Sequence, residues 1–200
     1  MGILDEWIRA NSAQQPTPPQ LNPWGGLNVP LVKVVKPKVF ISYHHKDQAF
    51  IDAFRTQYGA AYEVFTDCSL DEAIESNDLH YVNRTIREDF ITGTSITIVI
   101  CGTDTWKRKC VDWEIYSTLH KDHALLGIAL PHVQPVFQNG RQVIIVPNRL
   151  HTNIESGYAH WIDYPANAQI LKQAIDHALL RSKQNKFYKN NSLAKMVRNK

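Results

Sequence analysis

SITIVICGTDTWKRKCVDWEIYSTL, residues 95–119, decides the fold. Ser95 to Cys101 is almost wholly apolar and β-branched, the pattern of a strand covered on both faces. Gly102 closes the strand, Asp104 reads as a helix cap, and a helix to about His120 follows. That helix carries Glu114, four residues after Cys110 and directly after Trp113, with Val111 and Ile115 beside it. A carboxylate on a mostly apolar helix, near the carboxyl end of a buried strand, stands where open α/β sheets bind ligands.

Outward from this unit the same alternation repeats. Val39-Phe40-Ile41-Ser42 reads as a buried strand, and Asp47 as the cap of a helix with Phe50, Ile51, Phe54 and Tyr58 inward and Gly59 at its end. Tyr62 to Phe65 reads as a second strand, followed by a polar loop from Asp67 to Asp78. Leu79, Val82, Ile86 and Phe90 share one helix face. Ala124 to Leu130 and Gln142 to Val146 read as strands stopped by Pro131 and Pro147. Asn148 to Pro165 reads as irregular, with His160 to Ile162 as an edge strand. Ala166 to Arg181 reads as the last helix. Strand–helix alternation with right-handed crossovers gives a parallel sheet with helices on both faces.

Two hundred residues, 44% apolar and 20% charged, suffice for one such domain plus an appendage. Residues 1–36 read as an arm or linker: a short amphipathic helix over Ile3 to Ala10, then a stretch broken by Pro16, Pro18, Pro19, Pro23 and Pro30. The domain spans 37–181, and 182–200 form a basic tail. Residues 181–200 hold seven Lys or Arg and no acid, so the net charge of +3 resides there. A solvated terminus is the ordinary reading of such a run; nucleic acid is not expected as a partner. No apolar run reaches the roughly 20 residues of a membrane span, and no secretory signal is read at the start. Three cysteines without CxxC spacing point to a reducing compartment, and a cytoplasmic location is expected.

Several chemistries are excluded by what the motifs lack. No GxGxxG follows the first strand and no GxxxxGKS/T occurs, which argues against a dinucleotide-binding Rossmann oxidoreductase and a P-loop NTPase. The first strand runs into Ser42-Tyr43-His44-His45 rather than an acidic cluster. The histidines match neither HExxH nor a facial triad, so no metal site and no resident cofactor are expected. His44 can contact a polar ligand at its strand end. The amides after Cys101 can hold an anion, although capping by Asp104 competes. Trp106 and Trp113 can serve as aromatic platforms, or as core.

Lys38-Val39-Phe40-Ile41-Ser42-Tyr43 with His44-His45-Lys46-Asp47 resembles the opening strand and loop of Toll/interleukin-1 receptor (TIR) domains. Ser95 to Cys101, Trp106, and Cys110 to Ile115 resemble their third strand and the helix with the catalytic glutamate. The bacterial TIR-like proteins of the Thoeris antiphage system are the nearest relatives implied. The resemblance implies an α/β, flavodoxin-like three-layer fold with a central, mainly parallel sheet. It implies cleavage of the nicotinamide–ribose bond of NAD+, here a substrate, as an NAD+ glycohydrolase or ADP-ribosyl cyclase does. The product would be a cyclic or conjugated ADP-ribose messenger that reaches a partner effector protein in antiphage defence. Self-association through TIR surfaces is also implied.

The glutamate carries over onto Glu114. Tyr43 and His44 fall at the end of the first strand, and the loop Asp67–Asp78 is where the family's site-lining loop falls. The expected substrate-binding set is therefore Tyr43, His44, Asp67, Cys101, Trp106 and Trp113. One departure is Cys110, where family members often have Trp. Two rivals remain: a non-catalytic TIR-type assembly module, and an enzyme like the nucleoside deoxyribosyltransferases, which also use a glutamate on a flavodoxin-like fold.

Overall fold

A computed structural model describes residues 37–59, 63–66, 91–138 and 140–200. The arm over 1–36, Asp67, Cys68, the Asp67–Asp78 loop and the helix expected from Leu79 to Phe90 lie outside the described residues. The strands are β1 (Lys38–Ser42), β2 (Glu63–Thr66), β3 (Ile96–Cys101), β4 (Ala124–Ala129), β5 (Val136–Gln138), β6 (Arg141–Val143) and β7 (His160–Ile162). Among the described residues the α-helices are α1 (Gln48–Tyr58), α2 (Lys109–His120), α3 (Asn148–Glu155) and α4 (Ala168–Gln184).

Five strands form one sheet in the order β2-β1-β3-β4-β7, parallel throughout. This is the flavodoxin-like order, in which strand succession reverses between β1 and β3. The register there sets Ile41 beside Ile98 and Ser42 beside Val99. The crevice at the carboxyl ends of these two strands is where such sheets place their ligands.

Period-two alternation sorts each strand between two apolar layers. Val39, Ile41, Tyr43, Ile96, Ile98 and Ile100 pack with Ile51, Phe54 and Tyr58 of α1 and with Leu171, Ile175 and Ala178 of α4. Val99, Cys101 and Leu125 pack with Val111, Ile115 and Leu119 of α2 and with Leu150 of α3. All six residues of β3 are buried, as are all six of β4. Each fully buried Ile or Leu contributes about 1.5–3 kcal/mol. Gly127 of β4 is a size constraint: a Cβ there would stand 2.5 Å from the Trp161 ring.

Several elements differ from the sequence reading. Gln142 to Val146 joins no central sheet; β5 and β6 form a separate antiparallel ribbon around Gly140, whose φ is 77°. Val136 and Phe137 are exposed, so the ribbon leaves its apolar side chains outside the core. The stretch after Pro147 is not irregular: α3 forms there because Leu150 and Ile154, one turn apart, both meet the α2 layer. Phe50, expected inward, is 37% exposed and stacks on His132. Neither Asp47 nor Asp104 makes a side-chain cap hydrogen bond. The Asp47 carboxylate instead lies over Gly102, where a Cβ would stand 2.1 Å from it, and 3.7 Å from the His132 ring nitrogen. Burial pushes the Asp47 carboxyl above its ordinary range, against the opposing pull of His132.

The basic tail is the largest correction. The last helix continues to Gln184, and the chain beyond it folds back along α2 as a strap. Lys189 donates its ammonium to the Leu119 carbonyl at one end of α2. Asn191 donates to the Tyr116 carbonyl, and Trp113 donates its indole N–H to the Met196 carbonyl. At the other end the Asn199 side chain accepts from the Lys109 amide, and the Lys200 amide donates to the Lys107 carbonyl. Arg149 of α3 anchors the arrangement from within. It is fully buried, makes two bonds to the Asp112 carboxylate at 3.0 and 3.2 Å, and donates to Asn191 and to the Ala194 carbonyl. Asp112 also accepts the Met196 amide at 2.9 Å. Charge alone predicted a solvated run; the Asn side chains and main-chain groups that pair it to α2 have no periodic signature.

Two outcomes test this account. Arg149→Met leaves Asp112 buried without its cation, so chemical denaturation should show a loss of about 3–5 kcal/mol, the cost of breaking a buried pair from one side. For Asp47, a raised folded pKa means the folded chain holds the proton more tightly than the unfolded one. Stability then falls as pH rises from the unfolded value near 3.8 through the raised folded value. Asp47→Asn should melt above the parent at neutral pH, with the gap closing as the pH is lowered into the ordinary carboxylate range.

Candidate functional site

The site is built at the carboxyl ends of β1 and β3, at the reversal in strand order. Ser42 ends β1 on the face that α2 covers, and its hydroxyl donates to Glu114 Oε2 at 2.5 Å. Glu114 is 1% exposed. Its helix is pinned to β3 by Thr118, whose hydroxyl lies 2.6 Å from that of Thr97 and bonds the Glu114 carbonyl at 2.8 Å. The carboxylate is therefore held by a short hydrogen bond from one strand while its backbone is fixed against the next.

Two residues past Ser42, His44 is buried with its ring on the wall of a cavity of about 230 Å³. Lys46, Asp104, Lys107, Arg108 and Lys200 form the rest of that wall. Arg108 Nε donates to His44 Nε2 at 2.9 Å, and the Lys46 amide approaches His44 Nδ1 at 3.2 Å. A neutral imidazole has one acceptor nitrogen, so it serves one of these donors at a time, and the shorter contact is to Arg108. Asp104 accepts from Lys107 at 2.6 Å and from Lys46 at 3.5 Å. The Lys107 hydrogen bond, followed by charge, holds the Asp104 carboxyl below its ordinary range. Four cations thus face one carboxylate.

The expected site residues separate on this geometry. Glu114 and His44 lie along the same strand end. Trp106 stands beside the cavity, with the Lys107 and Lys200 ammoniums 5.4 and 5.6 Å from its ring centre. Tyr43 goes to the other side of the sheet, in the layer with α1, where its hydroxyl donates to Gln48. Alternation along β1 forces this, since Ser42 faces α2. Cys101 is fully buried in the α2 layer, and desolvation raises its thiol pKa far above the ordinary range. Trp113, next to Glu114 on α2, is 3% exposed and turned to the strap. Asp67 lies outside the described residues.

Ser42, Lys46, Lys107, Arg108 and Lys200 were not singled out by sequence reasoning. For Ser42 a signal exists: it is the polar end of an otherwise apolar strand, on the face that alternation assigns to the Glu114 helix. Lys200 has none, because nothing local brings residue 200 to residue 107.

Among the described residues no group of three or more His, Cys, Asp or Glu side chains could hold a metal ion. None of their helices is long and apolar enough to cross a membrane. A larger cavity, about 550 Å³, lies at the amino ends of the strands between Ser95, Asp122, His123, Asp176 and Lys183. Asp122 there is already paired with Lys186 and Lys189. It sits at the end of the sheet opposite to the ligand-binding crevice, and size alone does not outweigh that placement.

Comparison with known proteins supplies the family. Residues 40–135 match the family model described as Thoeris protein ThsB, TIR-like domain. The matched span runs from β1 through α2 and β4, so it contains Ser42, His44, Arg108 and Glu114. No curated protein matches the chain. Among solved structures, an adenylate cyclase from Rhodopirellula baltica is similar at 13% identity, over 76% of this chain and 94% of that one, with a TM-score of 0.44. That distant likeness has no bearing on activity. With the flavodoxin-like sheet, the glutamate-bearing helix at the strand reversal and the matched family model all on one stretch, residues 40–135 form a TIR-like domain related to that of Thoeris ThsB.

Proposed function

We propose that this protein cleaves the nicotinamide–ribose bond of NAD+ and converts the remainder into a cyclic or conjugated ADP-ribose signal in antiphage defence. The observation that carries this reading is Glu114: a carboxylate held by Ser42 at the strand reversal of the sheet, where His44, two residues past Ser42, lines a cavity walled by cations.

Loss of nicotinamide breaks the C–N glycosidic bond. The electron pair leaves with the neutral base, and positive charge develops on the ribose. A fixed carboxylate near that carbon stabilises the charge, and in a water-poor site such preorganised groups contribute a factor of about 100 or more. Water arriving at the ribose gives free ADP-ribose. A nucleophile held there in its place, such as the adenine ring, gives a cyclic product, and dryness of the site favours that route. Glu114 is 1% exposed, so on this reading the groups around it move before a substrate reaches it. Opening of a lid is a common way of coupling such chemistry to a trigger. On this reading the protein works in the cytoplasm, where NAD+ is found. The messenger, rather than direct contact, reaches the effector, and self-association accompanies activation.

Nicotinamide release is the direct test. Protein incubated with NAD+, alone and with extract of phage-infected cells, is analysed by chromatography and mass spectrometry. Glu114→Gln keeps an acceptor for Ser42, so its circular dichroism and melting temperature should match the parent while turnover falls at least about 100-fold. Ser42→Ala should lower turnover and also destabilise the fold by about 1–3 kcal/mol, because a buried carboxylate loses a donor. Normal turnover in Glu114→Gln would remove that side chain from the mechanism. No release by the parent in either condition would favour a non-catalytic assembly module.

A further inference from the structure

We propose that the 230 Å³ cavity at His44, Lys46, Asp104, Lys107, Arg108 and Lys200 is a pyrophosphate-binding site, completed by the strap after α4. The assignment of the pyrophosphate to a dinucleotide rests on the proposed function; the site itself does not.

Four features point to a small polyanion. The cations outnumber the single carboxylate four to one, and they come from three parts of the chain: the loop after β1, the turn after β3, and the strap. The volume is below the roughly 300–1,000 Å³ of pockets that enclose whole small-molecule ligands, so it suits a fragment. Arg108 presents a guanidinium fork, which matches phosphate oxygens in pairs, while the lysines act as point charges. The ring of Trp106 flanks the cations and is only partly buried, which leaves an aromatic surface next to the charge.

Asp104 holds Lys107 and Lys46 in place, and Arg108 is held by His44. An entering pyrophosphate takes over the lysine donors. Arg108 spends its Nε–H on His44, so its Nη hydrogens can take a phosphate with that bond intact. Lys200 reaches the cavity only because the strap fixes its backbone: its amide bonds the Lys107 carbonyl at 3.0 Å, and Asn199 accepts the Lys109 amide at 2.9 Å. The strap therefore acts as a structural arm that carries a ligand-binding cation to the glutamate helix.

Inorganic pyrophosphate, titrated calorimetrically into the full chain, is the test, with ADP-ribose and orthophosphate as further arms. Pyrophosphate and ADP-ribose should bind more tightly than orthophosphate, and added salt should weaken all three. Lys200→Ala alters an exposed side chain and should keep the parental melting temperature while weakening pyrophosphate about tenfold, the scale of one charge-assisted contact. Lys172→Ala, on the far side of the sheet in α4, should bind like the parent. If NAD+ turnover is measurable, Lys200→Ala should raise KM with kcat unchanged, the mark of binding shared by ground and transition states. Absence of pyrophosphate binding by the parent overturns the proposal, as does equal binding by the Lys200 and Lys172 variants. Pyrophosphate binding without nicotinamide release upholds this site and counts against the glycosidic reaction; release with kinetics indifferent to Lys200→Ala does the reverse.

Discussion

The buried pair between Arg149 and Asp112 is the constraint from which the site's geometry follows. A guanidinium with no exposed surface has to satisfy its donors within the protein, and Arg149 does so on Asp112, Asn191 and the Ala194 carbonyl, with its charge also near the Tyr116 ring. Such pairs add little net stability over an apolar replacement, because desolvation consumes most of the Coulomb gain. Their effect is geometric. Asp112 and Glu114 are two residues apart on one helix, hence about 200° apart around its axis. Holding Asp112 toward α3 and the strap turns Glu114 to the opposite side, where β1 ends and Ser42 waits. The outer ion pair and the inner hydrogen bond thus fix one rotation of α2 from two sides.

The same helix explains which part of the site was legible. A run such as Ser95 to Cys101 can only be a covered strand, and a covered parallel strand requires a helix after it, so the central α/β unit follows from apolar pattern alone. Glu114 was legible because an acid among Val111, Ile115 and Trp113 is an anomaly that packing does not explain. Tyr43 was misplaced relative to that acid because a motif at a strand end was read as a block, while alternate residues of a strand face opposite layers. His44 and Trp106 were brought to the cavity, yet the cations around them were read as ordinary surface charge. Local pattern cannot distinguish a solvated lysine from one that lines a cleft.

What local pattern misses most completely is long-range polar pairing. The Asn153 side chain donates to the Asn190 carbonyl and accepts from the Asn190 amide, Asn199 accepts from Lys109, and Lys189 donates to the end of α2. None of these contacts needs a hydrophobic period, and each joins residues at least 37 positions apart. Composition placed residues 182–200 in solvent because their net charge is high. Asparagine-rich chain, however, can satisfy both its own main chain and that of a neighbouring helix, and α2 offers carbonyl and amide groups at both of its ends. The strap is held by direction-specific hydrogen bonds more than by apolar area.

These features together favour a site that is assembled yet closed. The Ser42 contact keeps the Glu114 carboxylate in one position at the cost of hiding it, and two residues further along the chain His44 meets Arg108 at the wall of the cationic cavity. A substrate that carries only an apolar ring has nothing with which to engage the cations around Arg108. A substrate that carries phosphates does, since a guanidinium bonds an anionic oxygen more strongly than a neutral ring nitrogen. Selection for a phosphorylated ligand therefore does not require a wide preformed pocket. It requires that charged donors be left over once the internal contacts are made, and Arg108, which spends only its Nε–H on His44, meets that condition.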